Sequence, residues 1–377
     1  MPKLLHIADI HLDSPFSLLD AEKASVRRNE LRGIFSSVML FVKSAGIDAV
    51  LIAGDLFDTG FVTAETAALI KNAFASCPDC KFIISPGNHD PYTETSVYRS
   101  VSFSPNVFIF SSETVQKFSF DDLNMDVYGF AFCDNELRRS PVAEFRVEDP
   151  ERINILLAHC DIASPLSKYA PVTKNDLSSC GVDYAALGHI HNSDGVLKAG
   201  NTHYAYSGVL DGRSYDETGH KGGILLDIQK DHGVLHFQYN GIRFSKRHYE
   251  KDTLNISGAG SMAEIEEKIR TYITAKKYDM DTLLRLTLSG AVSSDFKLNR
   301  AVLEQTDFGL FSFELEDQTL PLYNKEHLIN DPTIRGEFFR TILPHLENGS
   351  SQEREIYAEA LRIGLSALSG EDFADFH

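Results

Sequence analysis

The stretch Ile83-Ile84-Ser85-Pro86-Gly87-Asn88-His89-Asp90 is the part of this sequence that decides the fold. The apolar run from Phe82 to Ile84 indicates a short buried strand, and the Pro86-Gly87 pair ends it. The turn that follows presents an amide, an imidazole and a carboxylate side by side. Asn and Asp are ordinary turn residues, so this stretch would be weak evidence for a site on its own.

The same pattern, a buried apolar strand followed at once by polar side chains that bind metals, recurs four more times in the first 200 residues. The other strands are indicated by the apolar runs Leu4–Ala8, Ala49–Ala53, Ile153–Ala158 and Tyr184–Leu187. The side chains that follow the five strands are Asp9 and His11, Asp55, Asn88 with His89, His159, and His189 with His191. Because such strand ends gather at one edge of an α/β sheet, we expect these side chains to converge.

Helical patterns separate the first three strands. Residues 21–45 have apolar side chains at helical spacing, and Thr63 is a suitable N-cap for a helix that runs towards Ser76. A β-α-β-α-β succession predicts parallel strands with right-handed crossovers, covered by helices. Near the end of this region three strands, 204–207, 223–228 and 234–239, have the pattern of a meander with Gly turns. The first domain is therefore expected to span residues 1–250.

The rest of the chain indicates a smaller α+β domain over residues 251–330 and C-terminal helices over 331–377. Its predicted strands are 253–256, 283–288 and 308–315, and its predicted helices run from the capping box at Ser261 to about Lys277 and over 294–304. Two further helices are predicted over 332–345 and 352–369. The last helix carries an apolar face of Ile356, Leu361, Leu365 and Leu368. This face would pack on its own domain or bind a partner.

Composition limits the classes of protein that this chain can belong to. It has 377 residues, with 36 Lys and Arg against 54 Asp and Glu, and a net charge of −18. Nucleic-acid-binding proteins usually carry a basic surface, so strong DNA affinity of the chain by itself is not expected. No apolar run approaches the ~20 residues of a membrane span, the N-terminus lacks the pattern of a signal peptide, and five cysteines indicate no disulfide framework. We expect a cytoplasmic protein with no membrane association.

The types of side chain at the strand ends indicate a metal centre. Imidazoles, carboxylates and one amide oxygen suit borderline divalent ions such as Mn²⁺, Fe²⁺ or Zn²⁺. Seven ligands are too many for one ion and fit two ions that share a carboxylate. Two such ions ~4 Å apart clamp both oxygens of an in-line displacement at phosphorus.

These motifs resemble, in chain order, those of the calcineurin-like metallophosphoesterases. They are Asp9-x-His11, Gly54-Asp55-Leu56-Phe57-Asp58, Gly87-Asn88-His89-Asp90, His159 and Gly188-His189-x-His191. Within that family, Tyr184-x-x-Leu187-Gly188-His189-Ile190-His191, Tyr206-Ser207-Gly208 and the run Arg213-Ser214-Tyr215-Asp216-Glu217 resemble the SbcD-type DNA repair nucleases. The opening run from Ala8 to Pro15 is similar to the YhaO-like branch of that group. The likeness covers residues 6 to about 222.

The resemblance implies an α/β core of packed mixed β-sheets flanked by helices, with two divalent ions, Mn²⁺ foremost. The first ion would be held by Asp9, His11 and His191, the second by Asn88, His159 and His189, and Asp55 would bridge them. His89 would be the catalytic acid at the leaving oxygen, and Asp90 would orient its ring. The implied activity is an exonuclease and endonuclease that cleaves phosphodiester bonds during DNA repair. The implied partners are DNA and an SbcC-like coiled-coil ABC-type ATPase, and a homodimer is left open.

The chain departs from that pattern in two ways. Archaeal and eukaryotic relatives commonly have a second His three residues after the bridging Asp, where this chain has Asp58. The acidic composition implies that the ATPase supplies much of the grip on DNA. The remaining cationic groups are more typical of a solvated surface than of DNA contacts; they are Arg138-Arg139, Arg213, Lys221 and the run from Arg243 to His248.

Two other functions stay open at this point. A small-molecule or cyclic-nucleotide phosphodiesterase would use the same residues, but a small substrate needs no appended domain. A catalytically silent scaffold would keep the fold for protein binding, but the intact ligand set counts against it. The protein-phosphatase branch is disfavoured because its loop requires an Arg where this chain has Thr59.

Overall fold

The computed structural model describes residues 1–293, 298–322 and 325–368. The chain divides into two compact units, Met1–Tyr249 and Glu250–His377. Within the described residues, no helix has both the length and the hydropathy to cross a membrane.

The elements of the first unit alternate between strands and helices, as the sequence predicts for its first hundred residues. In chain order they are β1 (Lys3–Ile7), α1 (Ala21–Ala45), β2 (Ala49–Ile52), α2 (Ala64–Ala75), β3 (Lys81–Ile84), α3 (Val97–Ser100), β4 (Val107–Ile109), β5 (Gln116–Phe120), β6 (Met125–Gly129), β7 (Ile153–His159), α4 (Lys174–Cys180), β8 (Tyr184–Gly188), β9 (Leu197–Ala199), β10 (Thr202–Tyr206), β11 (Gly222–Asp231) and β12 (Val234–Arg243). A one-turn 3-10 helix, Asp121–Leu123, joins β5 to β6.

These strands form two six-stranded mixed sheets. The first has the order β12-β11-β1-β2-β3-β4, with β1 to β4 parallel and β11 antiparallel to β1. The second has the order β5-β6-β7-β8-β10-β9, with its four central strands parallel. The predicted fold class is therefore confirmed. The predicted three-stranded meander is wrong, because β10 pairs with β8 in the second sheet and only β11 and β12 form a hairpin.

The alternation of side chains along β1 explains why the first sheet has an apolar cluster on each of its two faces. Leu5 and Ile7 face α1 and α2 in one apolar cluster, whereas Leu4 and Ala8 belong to a second cluster between the two sheets. Successive side chains of a strand point to opposite faces, so a strand that is apolar throughout is covered on both sides. A third cluster packs α4 on the outer face of the second sheet.

The second unit begins with the predicted β-α-β-α-β succession. Its elements are β13 (His248–Asn255), α5 (Met262–Lys276), β14 (Thr282–Ser293), α6 (Arg300–Gln305) and β15 (Ser312–Leu322), with sheet order β13-β14-β15. Ser261 caps α5 by accepting from the Glu264 backbone N–H. Of the helix predicted over 294–304, residues 294–297 lie outside the described residues. The strand predicted from Phe308 begins only at Ser312.

Three further helices, α7 (Lys325–Asn330), α8 (Ile334–Asn348) and α9 (Ser351–Leu368), share a small apolar cluster. Leu361 and Leu365 of α9 are buried in it against Phe339 and Ile342 of α8. Only part of the apolar face predicted for the last helix is therefore buried, because Ile356 is 61% exposed. The sequence did not predict α7, and residue 369 of the predicted last helix lies outside the described residues. The division into domains at 250 and 330 stays a prediction.

Candidate metal centre

The seven predicted ligands follow the carboxyl ends of five strands. Asp9 and His11 follow β1, Asp55 follows β2, Asn88 follows β3, His159 ends β7, and His189 and His191 follow β8. The strands belong to two sheets rather than to one. The sheets face each other, and their ends bring the seven residues to one place.

Asp9, His11 and His191 form the first group, in which one potential ligand atom of each residue lies within 4.8 Å of the others. The ring of His11 is fixed by a 2.7 Å hydrogen bond between Nδ1 and Asp58 Oδ1. Its Nε2 atom is buried, has no hydrogen-bond partner, and lies 3.6 Å from Asp55 Oδ2. A buried ring nitrogen without a partner, aimed at a carboxylate, is what a cation-binding site requires.

Asp9, Asp55 and His159 form a second group at the same spacing. His159 Nδ1 lies 3.0 Å from the Ala53 carbonyl oxygen, which directs Nε2 towards Asn88 Oδ1 at 3.0 Å and Asp55 Oδ2 at 3.5 Å. The His189 ring is 5.2 Å from that of His159. Asp55 Oδ2 is therefore close to a ring nitrogen of each group.

The electrostatics of the two groups fit divalent cations. Burial lowers the pKa of His11 and of His159, and it takes the pKa of His189 to about 4. These rings are therefore neutral near pH 7, which is the form that binds metals. Burial, followed by the charge of Asp55, raises the pKa of Asp9. Cations between the carboxylates would relieve that repulsion.

The backbone of the site is held in the left-handed region at four of its functional residues. The φ angles are 49° at Asp9, 49° at His11, 51° at Asp55 and 105° at His189. Such strain is uncommon outside glycine and gathers at functional sites. Hydrogen bonds from Asp9 N to Gly54 O and from His189 N to the Asp9 carboxylate hold these turns.

Gly87 leaves room for the second group. A Cβ at this position would lie 2.2 Å from Asp55 Oδ1 and 2.9 Å from the His159 ring. The turn after β3 can therefore approach the site only because residue 87 has no side chain.

Asp90 supports the turns and does not touch the ring of His89. Its buried carboxylate accepts from the backbone N–H groups of Gly87, Leu56 and Asp55 and from the Tyr98 hydroxyl. Burial, and then the charge of Asp55, raises its pKa to about 7. The expectation that Asp90 orients the ring of His89 is therefore wrong.

Asp58 is the residue that orients His89. Its Oδ1 lies 3.1 Å from His89 Nδ1 and also 2.7 Å from His11 Nδ1. The hydrogen bond to Asp58 raises the pKa of His89. His89 itself, with a side chain 51% exposed, lines an open cavity of about 830 Å³ together with Asn88, Lys168 and Arg213.

Arg213 and Glu217 complete the site, and sequence reasoning gave them no role in it. Glu217 Oε1 lies 2.7 Å from His191 Nδ1, so it leaves Nε2 of that ring for the metal group. Its other oxygen accepts from the Arg213 backbone N–H at 2.6 Å, and Arg213 Nη2 lies 3.3 Å from His191 Nδ1. The run from Arg213 to Glu217 stood out only through its resemblance, because no spacing connects it to a histidine more than twenty residues earlier.

Comparison with known proteins agrees with this geometry. The family model described as calcineurin-like phosphoesterase matches residues 2–193. The uncharacterized metallophosphoesterase YhaO of Bacillus subtilis is 28% identical over 300 residues, which cover 76% of this chain and 71% of that protein. The DNA double-strand break repair protein Mre11 of Aeropyrum pernix is 25% identical over 330 residues, 80% of this chain and 75% of that protein. Mre11 of Methanopyrus kandleri is 20% identical over 302 residues, 74% of this chain and 65% of that protein.

Proposed function

The chain belongs to the calcineurin-like phosphoesterase family, and on that premise we propose that it is an SbcD-type nuclease that hydrolyses phosphodiester bonds in DNA. One observation carries the proposal: a half-exposed, Asp58-paired His89 stands beside the two ligand groups and lines an open cavity of about 830 Å³. The names of the Mre11 relatives, which refer to repair of DNA breaks, support DNA as the substrate.

We assign two divalent ions, Mn²⁺ foremost with Fe²⁺ and Zn²⁺ as alternatives. Asp9, His11 and His191 would hold one ion, Asn88, His159 and His189 the other, and Asp55 both. When bound, the ions supply Lewis acidity that neutralises charge on the phosphate oxygens and lowers the pKa of water. The neutral state of the buried rings supports this assignment.

His89 is proposed as the acid that protonates the leaving oxygen. Its Nδ1 is engaged by Asp58, which leaves Nε2 for the substrate, and the raised pKa keeps the proton on the ring to higher pH. Because both His11 and His89 bond to one carboxylate, Asp58 fixes a ligand and the acid relative to each other. Correct positioning of the groups that act on the substrate lowers the barrier to reaction.

Arg213 is proposed to bind a phosphate oxygen of the substrate. Its guanidinium lines the same cavity as His89 and is held near His191 by the backbone bond to Glu217. A planar guanidinium matches the geometry of a phosphate and keeps its charge at every working pH.

A coiled-coil ABC-type ATPase is proposed as the partner. The net charge of −18 supports the idea that another chain provides most of the phosphate contacts. The exposed Ile356 on α9 offers an apolar contact for such a partner. Helix-in-groove pairing is a common mode of recognition for a preformed helix.

The test offers the purified protein linear double-stranded DNA, single-stranded DNA and a cyclic dinucleotide, each with Mn²⁺, Mg²⁺ or chelator. We expect Mn²⁺-dependent cleavage of DNA that His89→Ala slows by roughly 10²–10⁴-fold. His232→Ala is the matched control, because that side chain is 97% exposed on a hairpin turn. Cleavage of the cyclic dinucleotide alone would support the small-molecule alternative, and cleavage of none of the three would contradict a nuclease.

A further inference from the structure

A second groove lies in the first unit next to His191, with a volume of about 490 Å³. We call it the hairpin groove, because the β11–β12 hairpin forms one wall and the loop that begins at Asn192 forms the other. The end of β10 closes it, where Val209 N donates to the His191 carbonyl oxygen at 3.1 Å. Its lining includes Asn192, Lys221, Tyr239, Gly241 and Arg243.

The charge of the hairpin groove is opposite to that of the chain. Acidic residues outnumber basic ones by 54 to 36 overall, yet the lining contains Lys221 and Arg243 and no carboxylate. Lys221 Nζ donates to Asn192 Oδ1 at 2.6 Å, and Arg243 Nε donates to the Ser245 carbonyl oxygen at 3.3 Å. The acceptors of both hydrogen bonds are neutral. The charge of Glu217 also acts on Lys221, but Glu217 does not line the groove, so an anion in the groove meets the two cations and no carboxylate.

The neighbouring cations of the run from Arg243 to His248 are arranged differently. Lys246 Nζ and Arg247 Nη2 lie 2.8 Å and 2.7 Å from Glu30 Oε1, so a carboxylate neutralises them. The prediction that the cations of this run lie on a solvated surface is wrong for Arg247, whose side chain is only 9% exposed. Only the first residue of the run faces the groove.

The hairpin groove also offers an aromatic surface. The Tyr239 side chain is 48% exposed, and its ring lies 5.9 Å from that of Phe237, which in turn stacks on His203 at 4.4 Å. A partly exposed ring with another ring beside it on the same strand loses little freedom when a base stacks on it. Cationic grooves with such rings are typical of proteins that bind single strands without sequence preference.

We propose that the hairpin groove binds a single strand of DNA beside the metal centre, with Lys221 and Arg243 at phosphates and Tyr239 under a base. The proposal rests on the proposed nuclease function, because the groove adjoins the site through Asn192, the residue after His191. It would hold the strand on one side of the bond that is cleaved. The groove thereby gives an acidic chain its own local contact with the substrate.

Gly241 allows the charge of the groove to be changed without disturbing the fold. A Cβ at this position meets no atom within 4 Å, and its φ lies outside the left-handed region. Gly241→Glu places a carboxylate in the groove, and Gly241→Gln is a control of the same size. The measurement is fluorescence anisotropy of a labelled 15-nucleotide oligothymidylate with the full-length protein in chelator, so that no hydrolysis occurs.

We expect Gly241→Glu to weaken binding about fivefold or more, as repulsion between close charges would, and Gly241→Gln to leave it unchanged. Lys221→Gln and Arg243→Gln should each reduce the slope of log Kd against log salt by about 0.7, the value for one lost phosphate contact on a single strand. Tyr239→Ala should weaken binding roughly 5- to 100-fold, and an abasic strand should lose that sensitivity.

The proposal is overturned if wild-type protein does not bind the strand, or if the variants bind it with unchanged Kd and salt slope. Hydrolysis of bis(p-nitrophenyl) phosphate with Mn²⁺ separates this outcome from failure of the proposed function. If the wild-type protein does not hydrolyse this compound but Gly241→Glu still weakens binding of the strand, the proposed nuclease function is contradicted and the proposed binding site stands. Intact DNA cleavage with binding that is insensitive to all four residues would contradict the groove alone.

Discussion

Glu30 is expected to be the most important single carboxylate for the stability of the first unit outside the metal centre. It accepts hydrogen bonds from Arg27, Lys246 and Arg247 at distances between 2.7 and 3.1 Å, and its side chain is 9% exposed. Burial opposes its ionisation, but these three cations outweigh that effect and lower its pKa from 4.5 to about 2. Glu30→Gln removes the negative charge and leaves Arg27 and Arg247 next to a neutral amide instead of a carboxylate.

The magnitude follows from that pKa. The difference between these two pKa values corresponds to about 3 kcal/mol at neutral pH, and solvent at the edge of the cluster reduces this to roughly 1–2 kcal/mol. For a unit of this size we expect Tm to fall by about 2–8 °C. Because the folded pKa lies below the unfolded one, the stabilisation is complete above pH ~5 and is lost as the pH falls towards ~2.

The assay is thermal unfolding of wild type and Glu30→Gln from pH 7 down to about pH 3.5. The gap in Tm should narrow as the pH falls, whereas the control Glu65→Gln, at a carboxylate 81% exposed, should show little gap at any pH. A gap that is the same at both ends of this range would refute the electrostatic reasoning and attribute the effect to packing.

Four further predictions concern the site and the C-terminal helices. Asp55→Ala should abolish Mn²⁺-dependent hydrolysis, and it should also abolish the rise in Tm that Mn²⁺ gives the wild-type protein, since ion binding stabilises only the folded state. If the substitution lowers Tm equally with and without Mn²⁺, the role of Asp55 is structural. His89→Ala should keep two ions by metal titration and lose turnover by roughly 10²–10⁴-fold, and loss of an ion would refute its role as acid. Asp58→Asn should lower the pKa of His89, because their hydrogen bond raises it, so the basic limb of the pH–rate profile should move to lower pH; an unmoved limb would exclude His89 as the titrating acid. Deletion of residues 325–377 should abolish co-purification with the ATPase and keep cleavage of a short phosphodiester, and aggregation of the shortened chain would assign the helices to the core.

The sequence was informative wherever an element and its functional side chains are adjacent in the chain. Each ligand follows directly after a buried apolar run, so β1, β2, β3, β7 and β8 could be predicted together with the side chains at their ends. The partner of β10 could not be predicted, because the pattern of Tyr204–Ser207 is the same in a meander and in a parallel pair. Pairing in a sheet depends on distant residues that local periodicity does not report.

Adjacency in the chain was misleading for the partner of His89. Asp90 is its neighbour in sequence, but the turn directs that carboxylate at backbone N–H groups and at Tyr98. Asp58, thirty-one residues earlier, reaches the ring instead. The sequence showed Asp58 only as a departure from a histidine, and the structure shows it as a hydrogen-bonding partner of two rings.

The metal centre keeps its geometry only while the two sheets of the first unit stay packed together, because hydrogen bonds join the sheets there. His189 N donates to the Asp9 carboxylate and His159 Nδ1 bonds to the Ala53 carbonyl, each from the second sheet to the first. Gly188 lets the sheets approach there, since a Cβ on it would lie 1.8 Å from the Ala53 oxygen. Parting the sheets therefore dismantles the centre in the same step, so cations bound there should slow amide hydrogen exchange along β1 and β8 to a similar degree.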